Sequence, residues 1–222
     1  MKPRRSNQRN QALTLVEVLV VVVVLAVLSA LLLSGFFEAI RKAQKSNCYN
    51  NLHMIGLSFL VWGNDYNGKF PMEVSVTNGG RMELADTGNV VAIFQIMTNE
   101  MSTPKILLCP RDRNHVEGTN FAIGFTPKNI SYFIGVDANT NRPRSFLSGD
   151  DNFSIGGNQV KSGLLELPAN SPTSWTAARH KFAGNIGFAD GSVQQSYNRN
   201  ETNSIRFFLQ QTGLDTNRLA IP

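Results

Sequence analysis

Charge is scarce in this sequence. Only 17% of its 222 residues are Asp, Glu, Lys or Arg, against about 25% in an average soluble domain. Histidine occurs three times, as His53, His115 and His180, and these positions lack the spacing of a zinc peptidase helix. No P-loop, no dinucleotide fingerprint and no G-x-S-x-G elbow is found. Nothing in the sequence therefore argues for an enzyme. Internal repeats are lacking, and no low-complexity tract exceeds a few residues. The length suits one ordinary domain with an appendage, not three domains. A basic surface is lacking too, although the net charge is +5 and the pI about 9.4. Lys2, Arg4, Arg5 and Arg9 precede any acid, Arg41, Lys42 and Lys45 follow, and beyond Ser46 the 14 basic and 14 acidic residues cancel. A nucleic-acid binder carries its excess charge on the folded surface. Here the excess flanks a hydrophobic segment, so it concerns membrane orientation and no nucleic-acid partner is expected.

What is present is apolar bulk and turn chemistry. The 14 Phe and 2 Trp supply a core and exclude global disorder. Gly, Asn, Ser and Thr abound after residue 64, as in a loop-rich β domain. Leu13 to Leu33 is a run of 21 residues interrupted only by Thr14, Glu17 and Ser29. As a helix it measures about 31 Å, close to one hydrocarbon core. The Val run at 20–24 is poor helix material in water, but in lipid the helix is the spanning form that satisfies the backbone. A cleaved secretory signal has a shorter apolar region with a small-residue site after it. Here Ser29-Ala30 is followed by more Leu, so a signal anchor fits better. A plain anchor does not explain Glu17. A carboxylate in a lipid span is costly unless paired and marks a functional site.

The stretch Gln11-Ala12-Leu13-Thr14-Leu15-Val16-Glu17-Val18-Leu19 resembles the class III signal of type IV pilins and type II secretion pseudopilins. The family's usual Gly before the cut and Phe after it are replaced here by Ala12 and Leu13. The resemblance implies cleavage between Ala12 and Leu13 by a prepilin peptidase and N-methylation of Leu13. It makes Glu17, next to Thr14, an assembly residue. The freed α-amino group of one subunit would pair with the carboxylate of its neighbour. In low dielectric an unpaired carboxylate is penalised, which drives subunits into one axial register. The positive leader favours an N-inside orientation, and Arg41, Lys42 and Lys45 on the far side oppose it.

After Gly35 the pattern turns amphipathic, with Phe36, Phe37, Ile40, Ala43, Leu52, Ile55, Phe59, Leu60 and Trp62 at helical spacings among polar residues. One helix from about Leu13 to about Trp62 is predicted, bent near Gly35 and ended by the turn residues 63–68. Cys48-Tyr49-Asn50-Asn51-Leu52 and Lys69-Phe70-Pro71 also resemble segments of pseudopilin-like relatives. Beyond Pro71, strands are predicted at Val74–Val76, Ile106–Leu108, Ile130–Val136, Ile186–Phe188 and from Val193. Val90–Met97, capped by Asn89, and Ile205–Gln211 read as short helices. The expected fold is α+β and pilin-like. Its long N-terminal helix, transmembrane in its first half, packs on a loop-rich antiparallel β-sheet head. The expected parts are a leader 1–12, a transmembrane and filament-core helix 13–34, an amphipathic continuation 35–66 and a head 67–222.

His180 precedes Asp190-Gly191 in a pattern that resembles the H-x9-DG element accompanying prepilin-type signals in bacterial pseudopilin-like proteins. Ile130-Ser131-Tyr132-Phe133 and Leu147 to Asn152 resemble further segments of that group. Read from its residues, the element is a hairpin: a strand at Ile186–Phe188, a tight Asp190-Gly191 turn and a return at Val193. His180 is expected to hydrogen-bond a turn carbonyl or Asp190, with a metal-ligand role as the alternative. Cys48 and Cys109 can pair outside the cytoplasm or remain two buried thiols. Zinc on Cys109 and His115 would need further ligands. Asp137, Asn139 and Asn141 open like a calcium loop. However, Arg142 and Ser148 stand where an EF-hand needs Gly and an acid. A looser calcium site would draw on these residues or on Asp150, Asp151 and Asn152; otherwise no cofactor is expected. The sequons at Asn129 and Asn152 are discounted, because the signal implies bacteria.

The resemblance implies a structural subunit of a type II secretion or type IV pilus-like filament. Its partners would be the prepilin peptidase, other pseudopilin subunits, an inner-membrane assembly platform and the lipid bilayer. It would cross the bacterial inner membrane once, N-terminus cytoplasmic and head periplasmic, before joining an envelope filament. The alternative is an envelope binding module or enzyme on an uncleaved signal anchor.

Overall fold

A computed structural model of the protein describes residues 14–199 and 201–222, and the side chains of these apart from residues 32–34 and 201. Two compact units meet at the Ala43–Gln44 junction. The expected boundaries at 34 and 66 differ from this one. Helix α1, Leu15–Asp65, is assigned without a break through Gly35. Its end follows the turn signals: the Gly68 amide reaches back to the Gly63 carbonyl at 2.8 Å, with Asn67 and Gly68 both at positive φ. This closes the helix in the manner of a left-handed C-cap.

In the first unit the apolar side chains from Leu15 to Leu31 lie exposed. The helix is long and apolar enough to cross a membrane. The Ser29 hydroxyl is satisfied locally, donating to the Leu25 carbonyl at 2.7 Å, as lipid requires of a buried hydroxyl.

In the second unit, Cys48, Leu52, Ile55, Phe59 and Trp62 form the buried stripe of α1. Their alternating spacing of four and three puts them on one face. Short elements follow: a 3-10 turn at Pro71–Glu73 and another at Val76–Asn78, α2 at Met82–Ala85, α3 at Val90–Ile96 and α4 at Thr98–Met101. The Asn89 side chain caps α3 by accepting from the Ala92 amide at 3.0 Å. The strands expected at Val74–Val76 and Ile106–Leu108 are absent. Val76–Asn78 and Pro104–Leu107 are 3-10 turns. In each an N-cap hydroxyl, from Ser75 or Thr103, accepts a turn amide. This local bonding overrides the β propensity of the Val, Ile and Leu residues in these segments.

The strands are β1 Tyr132–Gly135, β2 Phe146–Asp150, β3 Phe153–Ile155, β4 Asn158–Gln159, β5 Gly163–Pro168, β6 Thr173–Trp175, β7 Ala183–Phe188 and β8 Val193–Tyr197. Helix α5, Ile205–Gln211, and β9, Thr216–Ile221, complete the chain. Six strands form one antiparallel sheet in the order β5-β9-β1-β2-β7-β8, and β4-β3-β6 form a smaller one.

Both faces of the large sheet are buried, and the period-two alternation of a strand sorts its residues between them. Tyr132, Ile134, Leu147, Val193 and Ala220 join the α1 stripe in one core. Phe133, Phe146, Phe188, Leu219 and Ile221 face a second core with Phe153 and Trp175 of the small sheet and Ile205, Phe208 and Leu209 of α5. The unit is thus layered as helix, sheet, then small sheet with α5, which is the α+β arrangement expected.

Candidate functional site

Two places carry the residues singled out by sequence. At the first, α1 begins at Leu15, so Thr14 is its N-cap and Glu17 its third residue. The Thr14 amide and hydroxyl both donate to Glu17 Oε2, at 2.7 and 2.8 Å, and the Glu17 amide donates to Thr14 Oγ1 at 3.3 Å. This is a reciprocal capping box, which satisfies amides that the helix leaves without internal partners. The carboxylate is thereby held at the positive end of the helix dipole. Ala12 and Leu13, the expected cleavage and methylation residues, lie outside the described residues, as does the basic leader.

The second place is in the head. Arg179 is 4% exposed and collects four partners. Its Nη2 lies 2.6 Å from Asp112 Oδ2 and pairs with Asp151 Oδ1. Its Nη1 donates to the Ser131 carbonyl at 2.6 Å and stands 3.9 Å from Asp150 Oδ1. Asp112 Oδ2 also accepts from Ser131 Oγ and contacts His115 Nδ1, both at 2.7 Å, while the Asn114 amide donates to Oδ1 at 2.9 Å. The Asn185 amide and side chain both donate to Asp150 Oδ2, at 2.7 and 2.9 Å. One guanidinium thus joins the loop at 112, the start of β1, the end of β2 and the segment before β7.

Burial and compensation decide the protonation of these groups. Burial pushes Asp112 up, but the hydrogen bond from His115, the charge of Arg179 and the Ser131 and Asn114 donors outweigh it. The carboxyl is held well below its ordinary range. Burial wins at Asp150 and Asp151, raising both to about 6 against the pull of Arg179. Burial, then the charges of Arg179, Arg111 and Lys45, lowers His180 to about 4, so its ring is neutral at pH 7. A single buried cation cannot fully compensate three carboxylates.

The H-x9-DG element is the hairpin read from sequence. Its residues are placed differently from the expectation for His180. Strands β7 and β8 pair in register from Ala183↔Tyr197 to Gly187↔Val193. Asp190 Oδ1 accepts from the Ser192 amide at 2.8 Å, and Gly191 turns with φ +80°, the left-handed backbone that glycine adopts freely. The Gly191 carbonyl is met by His53 Nδ1 of α1 at 3.1 Å, and not by His180. His180 belongs to the opposite end of β7. Its Nε2 lies 3.4 Å from Cys109 Sγ and 3.7 Å from Asp150 Oδ2. The reason is steric as well as polar: a six-residue strand separates His180 from the turn. Lys181 and Phe182, both at positive φ, turn the chain before that strand.

Cys48 of α1 and Cys109 form a disulfide with their Cα atoms 5.0 Å apart. Both are fully buried. His115 is not beside Cys109's sulfur; it is occupied by Asp112. The calcium candidates are not assembled into one donor set. Both oxygens of Asp137 are taken by Arg218, through its amide, Nε and Nη2 at 2.7, 2.8 and 2.7 Å. Asn139 bonds Glu73 and accepts from the Asn141 amide. Asp150 and Asp151 face Arg179, with Asn152 donating to the Ala183 carbonyl. Donors already engaged by arginine or by one another do not gather the six to eight oxygen ligands that calcium takes.

Sequence reading missed Arg179, Asp112, Ser131 and His53. One signal existed: an arginine beside His180 and an Asp-Asp pair in strand-like context imply a buried ion pair, since a lone charge is not tolerated there.

A long apolar helix followed by an antiparallel sheet, with a carboxylate in the helix's first turn, defines a pilin-like α+β protein. Residues 7–33 match the family model of the prokaryotic N-terminal methylation motif, so the chain carries a prepilin-type signal. No curated protein and no solved structure matches the chain.

Proposed function

We propose that the protein is a pseudopilin, a structural subunit of a type II secretion or type IV pilus-like filament. The observation that carries this reading is Glu17: a carboxylate in the first turn of a membrane-length apolar helix, inside the stretch matched by the methylation motif. The prepilin peptidase cuts between Ala12 and Leu13 and Leu13 is methylated. The helix waits in the bacterial inner membrane with the head in the periplasm, and an assembly platform moves it into the filament.

The Thr14–Glu17 capping box supports a role for Glu17 in both states. In a membrane-resident monomer the carboxylate is solvated by its own Thr14 amide and hydroxyl, which lowers the cost of holding it in lipid. In the filament, the amine freed on a neighbouring subunit supplies the opposite charge and sets register. Exposed Val and Leu along the helix supply the cohesion between subunits.

Two measurements test this. Mass spectrometry of the mature chain should find N-methylated Leu13 at the start; a chain that retains Lys2 or Met1 contradicts the processing. Glu17→Ala should insert and fold but stay out of filaments, and normal incorporation of that variant would refute the pairing.

A further inference from the structure

Three side-chain atoms of types that bind soft metals lie together in the head, two of them the sulfurs of the disulfide. Cys48 Sγ, Cys109 Sγ and His180 Nε2 all lie within 4.8 Å of one another, on residues that are all buried. Nε2 is 3.4 Å from Cys109 Sγ. In a tetrahedral zinc site, a thiolate and an imidazole nitrogen are about 3.6 Å apart and two thiolates about 3.8 Å, given the usual metal–ligand bond lengths. One of the two sulfur–nitrogen edges is thus already formed; the sulfur–sulfur edge must open, and Cys48 Sγ starts within 4.8 Å of the ring nitrogen. A carboxylate stands beside the ring. Asp150 Oδ2 is 3.7 Å from Nε2, and Asp150 Oδ1, on a fully buried residue, has no hydrogen-bond partner.

We propose that Cys48, Cys109 and His180 form a zinc-type metal site when the disulfide is reduced. Bridge and metal are then alternative closures of one junction between α1 and the head loops. Reduction of the S–S bond by a dithiol, which is itself oxidised to a disulfide, adds two electrons and two protons and yields two thiols. The incoming divalent ion displaces both protons to solvent and binds two thiolates and the neutral ring. The site explains why a histidine is directed at a disulfide sulfur instead of at a polar partner of ordinary strength. It also gives the reduced chain a way to hold α1 in place where it otherwise has two loose buried thiols, because binding energy of such sites adds directly to folding.

The test uses the full chain in detergent, reduced without oxygen by a phosphine, with two thiols counted by alkylation after unfolding. Cobalt(II) is then added. The expected result is one cobalt per chain, with visible bands of tetrahedral coordination and thiolate-to-metal charge transfer, displaced by zinc and absent from the oxidised chain. Loss of an outer-shell partner alone lowers metal affinity about 10–100-fold, so His180→Ala should lower it at least about 100-fold. Near-UV circular dichroism of its oxidised form reports whether that variant folds; if it does not, His180→Gln replaces it. A reduced chain with two counted thiols and no tetrahedral spectrum overturns the proposal. So does a spectrum unchanged in the folded histidine variant, or cobalt binding of equal strength to the oxidised chain.

Discussion

At the scale of single residues, Arg179 has the largest predicted effect. Its guanidinium is shared among Asp112, Asp150 and Asp151 and the Ser131 carbonyl. Replacing it with methionine keeps bulk but leaves buried carboxylates uncompensated. The expected loss is about 3–5 kcal/mol, measured as a fall in the urea midpoint. The pH dependence follows from the signs of the shifts. Asp112 is more acidic folded than unfolded, so its contribution is present above the ordinary carboxylate range and lost as pH falls below it. Asp150 and Asp151, raised to about 6, act oppositely: their contribution is present below the ordinary value of 3.8 and lost as pH rises through about 6. His180, lowered to about 4, contributes stability above its ordinary range that disappears as pH falls through 4. It therefore offsets the two acids between about 4 and 6. Below that window Asp112 dominates. Asp112→Asn should flatten the acid limb of a stability–pH curve, and an unchanged limb would show that another group controls it.

At the scale of elements, the DG hairpin fastens the sheet to α1. A Cβ at Gly56 would stand 3.2 Å from Gly191 Cα, so helix and turn touch backbone to backbone. The His53 contact to the Gly191 carbonyl lies at the same place. Gly56→Val should push the two apart and cost about 1–3 kcal/mol, as overpacking does, with β7 and β8 amides losing hydrogen-exchange protection. The hairpin was readable from Asp190-Gly191 and the flanking apolar residues, as were α1, α3 and α5 from their caps and spacing. The partner of the turn was not readable. His53 lies 138 residues from Gly191, and spacing along a chain carries no information about such a meeting. Nor were β2 to β6 and β9 read as strands; β4 has two residues, both exposed, and such a strand owes its existence to the neighbour it pairs with.

At the scale of the whole molecule, the Cys48–Cys109 bridge spans 61 residues and restricts the unfolded chain. By loop-closure entropy its removal costs about 4 kcal/mol. Cys48→Ser with Cys109→Ser should therefore unfold at lower urea, and a stability equal to that of the native chain would mean that the closed loop stays compact when unfolded. The apolar half of α1 responds to a different medium. Its described apolar side chains from Leu15 to Leu28 lie exposed, the surface that a lipid medium accepts and water does not.

The sequence by itself determined the long helix, the α+β class, the prepilin-type signal and the hairpin, because each rests on local periodicity, capping or a contiguous motif. Only the tertiary structure decided that Arg179 gathers three acids, that Arg218 claims Asp137 and that His180 faces a disulfide instead of the turn that begins ten residues on. Those outcomes depend on which buried charge finds compensation across the sheet, and low dielectric makes that choice between residues far apart in the chain.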